Sequence, residues 1–134
     1  MKLTIYSDGG SRGNPGICAY AIVVTQDGKV IFEDTKFLGV ETNNYAEYRG
    51  LIAGIGKAID LGADDVEFVM DSELVIKQMN GEYKVKSPKM QELHKDAKAL
   101  ASVIEKVRFT HARRSNEFVS RADALLNHTM DVNS

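Results

Sequence analysis

Up to about residue 40 the apolar residues of this chain keep the spacing of β-strands, and from Asn44 onward they recur as on a helix. That change of period limits the possible folds more than any other feature. Residues 2–7 alternate, DGGSRGNPG (8–16) packs glycine and proline into an expected loop, and ICAYAIVVT (17–25) is a long β-rich run. QDGK then reads as a hairpin turn, because Asp-Gly tolerates the positive φ such turns need, and residues 29–38 supply a third strand. The first three elements are therefore expected to form an antiparallel meander. Past Asn44, the residues Tyr48, Leu51, Ile52, Ile55, Ala58 and Ile59 recur at three- and four-residue spacing, with Gly62 as a stop. A fourth strand is expected over 65–71, a short helix over about 72–80 and a longer amphipathic helix from Pro88 to Ile104. A fifth strand, KVRFTHA (106–112), precedes a last helix with Val119, Ala122, Leu126 and Met130 on one face. The order βββαβααβα predicts an α/β fold, a mixed five-stranded sheet flanked by helices. Its parallel strands should end beside a ligand-binding crevice.

Composition closes off several alternatives. A length of 134 residues suits one domain, residues 1–134, with a single core. With 43 % hydrophobic and 27 % charged residues the chain has an ordinary globular balance. It holds no apolar run of about eighteen residues, so no membrane association is expected. The N-terminus MKLTIYSD enters strand alternation at once, without the basic, apolar and small-residue regions of a signal peptide, so the cytoplasm is the expected compartment. The single cysteine, Cys18, lies in an apolar run and reads as a buried thiol. A net charge of −2 argues against indiscriminate nucleic-acid binding while leaving room for a local basic face. A monomer is the default expectation.

Four carboxylates stand out against this pattern. Asp8 is expected to end the first strand and Asp71 the fourth; Glu47 lies one turn before Leu51 on the same helical face, and Asp123 sits between Val119 and Leu126 toward the apolar side. Each has an ordinary reading alone. Asp8 can open a turn, Glu47 can complete a capping box behind Asn44, Asp71 or Ser72 can cap the next helix, and Asp123 can favour the positive end of the last one. Together these readings do not explain why four acids share core-facing positions near sheet ends. Without a cation such a cluster repels itself and raises at least one pKa. Oxygen ligands with no Cys or His at useful spacing favour Mg²⁺ or Mn²⁺ over zinc. Two such ions about 3.5–4 Å apart can activate a water and stabilise a leaving oxygen in phosphodiester cleavage. A shared carboxylate would bridge them, and Asp8 is the expected bridge.

The segments DGGSRGNPG (8–16), TNNYAEYRGLIAGI (42–55), DSELVIKQMNGEYKVK (71–86) and RADALLN (121–127) resemble type 1 ribonuclease H, in that family's order and at about its spacing. The resemblance implies a ribonuclease H-like fold and divalent-metal-dependent endonucleolytic cleavage of RNA in RNA/DNA hybrids, leaving 5′-phosphate and 3′-hydroxyl ends. It also implies that Asp8, Glu47, Asp71 and Asp123 are the family's metal-binding catalytic acids, the four that the residue pattern singles out.

Other motif residues take expected substrate roles. Gly9, Gly10 and Gly13 can leave room for a sugar–phosphate backbone, or simply make a flexible turn. Asn14 and Asn43 match positions where the family contacts the hybrid minor groove, where the RNA 2′-hydroxyl distinguishes RNA from DNA; Asn43 can also be a helix-start residue. Ser72 and Glu73 follow Asp71 where relatives touch nucleic acid, with Glu73 where some carry Gln. Among Arg12, Lys84, Lys86, Lys89, Arg113, Arg114 and Arg121, solvated side chains are the ordinary reading, and the clusters KVKSPK and ARR can hold phosphates. Only GEYKVKSP joins the second and third helices, so the chain resembles the compact form without the family's basic protrusion. Weaker hybrid binding with steep salt dependence is expected.

The last loop, HARRSNEFVSRAD, departs from the family's pattern. It lacks a proline, Arg114 matches the family arginine, Asn116 is displaced, and no histidine lies between Ala112 and Asp123. His94, His111 and His128 read as structural or solvated. Two other functions fit less well: a noncatalytic nucleic-acid-binding module, which does not need four acids, and a related metal nuclease with another substrate.

Overall fold

The computed structural model describes residues 1–134. Five strands and four helices follow one another as β1 (Lys2–Gly13), β2 (Gly16–Gln26), β3 (Lys29–Glu41), α1 (Asn43–Asp60), β4 (Asp65–Met70), α2 (Glu73–Met79), α3 (Pro88–Ala101), β5 (Lys106–His111) and α4 (Glu117–Val132). The strands form one sheet in the order β3-β2-β1-β4-β5. The first three pair antiparallel, and β4 lies parallel to both β1 and β5. Structure and sequence agree on the element order and on the mixed sheet.

The main correction concerns DGGSRG, expected as loop and found as strand. Glycines weaken a strand taken alone, but here β2 pairs with the segment residue by residue from Asp8↔Ala21 to Gly13↔Gly16. Only Asn14 and Pro15 remain for the turn, with Gly13 at φ 91°. Asp8 therefore does not end β1; it stands at the middle of a long strand. What ends there is the partner on the other side, because the parallel pairing with β4 stops at Tyr6↔Val69. The third strand likewise continues to Glu41 instead of stopping at 38, bending where the register shifts between Cys18 and Ala19 opposite Gly39, whose φ is 81°. The third helix ends at Ala101, before the expected Ile104.

Two apolar layers cover the two faces of the sheet. On one, Leu3, Ile5, Val66 and Phe68 pack with Tyr48, Leu51 and Ile55 of α1 and with Val75, Met79 and Ala97 of α2 and α3. On the other, Ala19, Ala21 and Val23 pack with Ala122, Leu126 and Met130 of α4. Successive strand residues face opposite sides. Ile5 and Gly9 of β1 thus look toward α1, while Tyr6, against Phe118, and Asp8 look toward α4.

Candidate active site

Past the end of β4 the sheet offers a notch beside β1, and four elements bring carboxylates to it. Asp8 comes from β1 and Asp71 from the residue after β4. Ser72 takes the cap of α2, its hydroxyl accepting from the Val75 amide at 3.2 Å, which leaves Asp71 free of capping. Thr42, not an asparagine, caps α1, so Glu47 lies in the second turn and is no capping-box partner. Asn116 caps α4 with its carboxamide oxygen on the Phe118 and Val119 amides, and Asp123 stands well inside that helix, away from its positive end. The ordinary readings of Glu47, Asp71 and Asp123 fall with this capping geometry. Asn116, displaced in the sequence pattern, has this local duty instead.

Glu47 reaches the notch because α1 lies unusually close to β1. A Cβ on Gly9 would collide with the Ala46 carbonyl and the Glu47 amide, one on Gly50 would come within 3.2 Å of the Asp8 carbonyl, and one on Gly54 within 3.1 Å of Ile5. Gly9, expected to leave room for a sugar–phosphate backbone, lines the acid cavity and leaves its Cβ side to helix α1. Gly10 lines the same cavity, and its Cβ position lies 3.4 Å from Leu126 and 3.6 Å from the Asn43 side chain.

All four acids line one cavity of about 390 Å³, together with Gly10, Ser11, Arg12, Asn43, Ser72, Arg114, Leu126 and Asn127. Asp8 and Glu47 are buried at 3 % and 7 % exposure. Burial pushes the Asp8 carboxyl up to about 8, with the charges of Asp71 and Asp123 adding to the effect and Arg114 opposing it. Burial likewise pushes Glu47 up to about 7; Ser72 and Arg114 oppose this, and Asp71 adds to it. As placed, no three of these side chains form a ready ligand cluster, and the cation among them is Arg114. Its Nε and Nη2 donate to Asp71 Oδ2 at 3.0 and 2.8 Å, and Nη1 lies 3.6 Å from Asp123 Oδ1.

The neighbouring polar groups are also engaged. Asn43 donates through Nδ2 to Glu47 Oε1 and accepts at Oδ1 from the Ser11 amide, while the Asn14 side chain accepts from the Asn43 amide at 3.1 Å. These bonds tie the β1–β2 hairpin to the start of α1. Asn127, one turn after Asp123, donates to its carbonyl and carboxylate at 2.9 and 3.2 Å. Sequence reading missed Asn127, although the i, i+4 spacing from Asp123 was its signal. It also missed Ser11, whose buried hydroxyl has no partner and which nothing outside the hairpin motif marks. Asp8 Oδ2 is the other buried oxygen without a partner.

Of the expected substrate residues, Gly10, Arg12, Asn43, Ser72 and Arg114 line this cavity. Gly13 and Asn14 form the hairpin tip beside it, and Lys86 does not reach it, lining a separate groove with Leu74, Gln78, Glu82, Tyr83 and Lys84. Arg121 pairs instead with Glu33 of β3 at 2.6 Å, and Lys89 with Glu41 at 2.6 Å. His111 has Nε2 3.2 Å from the Asp71 carbonyl oxygen, and His94 has Nε2 3.1 Å from the Gln78 carbonyl oxygen.

An all-oxygen acid centre beside β1 just past the end of β4, on a sheet of this order, defines a protein of the ribonuclease H-like fold. Comparison narrows the class. Residues 7–129 match the family described as reverse transcriptase-like. The N-terminal RNase H domain of a Mycobacterium tuberculosis protein, solved as a fusion with maltose binding protein, is 44 % identical with TM-score 0.92, covering 98 % of this chain and 94 % of that one. RNase H1 of Halobacterium salinarum is 38 % identical with TM-score 0.93, covering 98 % of both chains. LC11-RNase H1, solved in complex with an RNA/DNA hybrid, is 35 % identical with TM-score 0.89 over 98 % of both. The chain spans 36 % of the length of the bifunctional protein of M. tuberculosis it matches at 45 % identity, and 65 % of the H. salinarum Ribonuclease HI it matches at 39 %. The chain belongs to the type 1 ribonuclease H family. Within that family it has the compact form, because only residues 80–87 separate α2 from α3.

Proposed function

We propose that this chain is a metal-dependent endoribonuclease that cleaves the RNA strand of RNA/DNA hybrids, giving 5′-phosphate and 3′-hydroxyl ends. The observation that carries the reading is Asp8 Oδ2, a buried carboxylate oxygen with no hydrogen-bond partner, in a cavity that three further acids share. Such an atom is costly unless a cation meets it. The donors are hard oxygens, and the groups that temper the acids, Arg114 and two asparagines, leave Asp8 Oδ2 open, so the residues fit Mg²⁺ or Mn²⁺. Asp8, Glu47, Asp71 and Asp123 would hold the ions. Such ions supply an activated water and charge stabilisation at the leaving oxygen.

The remaining residues bind and orient. Gly10 gives backbone access at the cavity wall, and Asn14 and Asn43, already fixed to one another, present amides toward a minor groove where a 2′-hydroxyl marks RNA. Arg12, Ser72 and Arg114 border the acids as phosphate or sugar contacts, Gly13 shapes the hairpin tip, and Lys86 meets the duplex further out. The likeness to a relative solved with a hybrid supports the same substrate.

One gel tests this: labelled RNA/DNA hybrid, RNA duplex, DNA duplex and single-stranded RNA, each with Mg²⁺, Mn²⁺ or chelator. Cleavage of the hybrid alone, only with metal, and lost by about 10²-fold or more in Asp71→Asn, is expected. Intact hybrid under every ion, or full activity of that variant, overturns the reading.

A further inference from the structure

Between α2 and α3 the chain runs through residues 80–87 without regular structure, yet it is tied down at several points. The centre of the network is Gln78, a carboxamide on α2 that is buried to 9 % exposure. Its Oε1 accepts from the hydroxyl of Tyr48, itself 1 % exposed and next in sequence to Glu47. Its Nε2 donates to the Lys84 carbonyl at 3.3 Å, and its backbone carbonyl lies 3.1 Å from His94 Nε2 of α3. A second carboxamide, Gln91 of α3, donates to the Val85 carbonyl at 2.9 Å. Lys77 lies over the Tyr83 ring, 5.0 Å from its centroid, and is itself fixed by Glu73 at 2.7 Å. The linker thereby forms one wall of a groove of about 520 Å³ that carries Lys84, Lys86 and Tyr83.

A buried carboxamide is costly unless both its ends are used, and here both are, by a helix hydroxyl and a linker carbonyl. The core alone would be served as well by an apolar side chain at 78. Gln78 does what such a side chain cannot: it fixes the backbone beside two lysines. Because α2 starts immediately after Asp71, its far end stands roughly 10 Å from the acids at about 1.5 Å per residue, far enough along a duplex to meet other phosphates than the scissile one.

We infer that Gln78 is a positioning residue for substrate: by holding the Lys84 carbonyl it preorganises the Lys84–Lys86 segment as a clamp on the sugar–phosphate backbone of the hybrid. The segment is ordered before binding, so less conformational entropy is lost when the duplex arrives. This inference rests on the hybrid-cleaving reading above.

The test measures hybrid dissociation constants in chelator across a salt series, and single-turnover cleavage at saturating hybrid with Mg²⁺, for the wild type, Gln78→Leu, the pair Lys84→Ala with Lys86→Ala, and all three together. Gln78→Leu should weaken binding about three- to tenfold and flatten the salt dependence by one to two phosphate contacts, with the saturated cleavage rate within twofold. Added to the double lysine variant, it should change little further. Should Gln78→Leu fail to fold, Gln91→Leu, which frees the Val85 carbonyl, should move affinity and salt slope the same way. Unchanged affinity and slope in the folded glutamine variant, or effects that add fully to those of the lysines, overturn the positioning role alone. A wild type that binds no hybrid at any salt overturns the functional reading and the inference together.

Discussion

Replacing Asp8 by asparagine should make the metal-free protein more stable, and increasingly so as the pH rises. In the folded chain the Asp8 carboxyl is pushed from 3.8 to about 8, by burial first and by the charges of Asp71 and Asp123 second. The folded state therefore binds this proton more tightly than the unfolded state does. Between about pH 4 and 8 it holds more protons, and stability falls as pH rises through that window. Each tenfold difference in proton affinity is worth about 1.4 kcal/mol, so the ceiling at pH 8 is about 5 kcal/mol. Closer approach of Arg114 and entry of water cut this, and about 1–3 kcal/mol, or roughly 3–10 °C in Tm, is the expected gain of Asp8→Asn at pH 8 in chelator. At pH 5 the gain should fall to about a third of its pH 8 value, because only about one pH unit then separates the solution from the group's ordinary 3.8, and it should vanish only below about pH 4. Glu47, pushed up to about 7, keeps its own proton linkage in the variant, so the variant's stability still declines with pH, only less steeply. Thermal unfolding in chelator at half-unit steps from pH 5 to 8 gives the comparison. Parallel profiles, or a variant less stable than wild type at pH 8, would show that Asp8 carries no stored repulsion and would refute the reasoning.

Millimolar Mg²⁺ or Mn²⁺ should raise the wild-type Tm most at high pH and should do little for Asp8→Asn, which differential scanning fluorimetry can follow. Gly9→Ala should cost about 3 kcal/mol or more in urea unfolding and lower hybrid cleavage as well, because the new methyl meets the backbone of α1 and displaces Glu47. Gly10→Ala, whose methyl would meet Leu126 and Asn43 only at ordinary contact distance, should change stability by under about 1 kcal/mol while weakening hybrid binding in a gel-shift titration.

What the sequence made legible is what short-range pattern encodes. Alternation marked the start of β1 and a long β-rich run marked β2, the three- and four-residue spacing marked α1 and α4, and the acids stood out because carboxylates rarely interrupt apolar stripes. The Gly-rich stretch after Asp8 misled, since its strand character comes from pairing with β2 and no residue between 9 and 13 advertises it. Gly9 misled for a similar reason: only packing shows that its missing side chain is filled by α1. Gln78 carries no mark in the sequence, and its role shows only once Tyr48 and the Lys84 carbonyl are seen at its two ends. Arg114 was found by its match to a family motif, but its place between Asp71 and Asp123 depends on where the loop before α4 lies, and pattern does not encode that.

The way the acids are tempered says which of them is reserved. Asp71 has Arg114, Asp123 has Asn127 with Arg114 further off, and Glu47 has Asn43; each of these donors meets a carboxylate oxygen without filling the cavity. Asp8 is the most buried of the four, and its Oδ2 has no donor, although Ser11 with its own free hydroxyl lies on the same strand. A fold shaped for stability alone would place a donor there or replace the acid with an apolar residue, since a buried unpaired carboxylate costs several kcal/mol on order of magnitude. The chain instead brings α1 close to β1 through three glycines, Gly9 on the strand and Gly50 and Gly54 on the helix, and so carries a second buried carboxylate, Glu47, to the same cavity. Destabilisation concentrated on one oxygen, with its neighbours partly neutralised, is what a site needs if cations are to enter between fixed ligands and be held most firmly at Asp8.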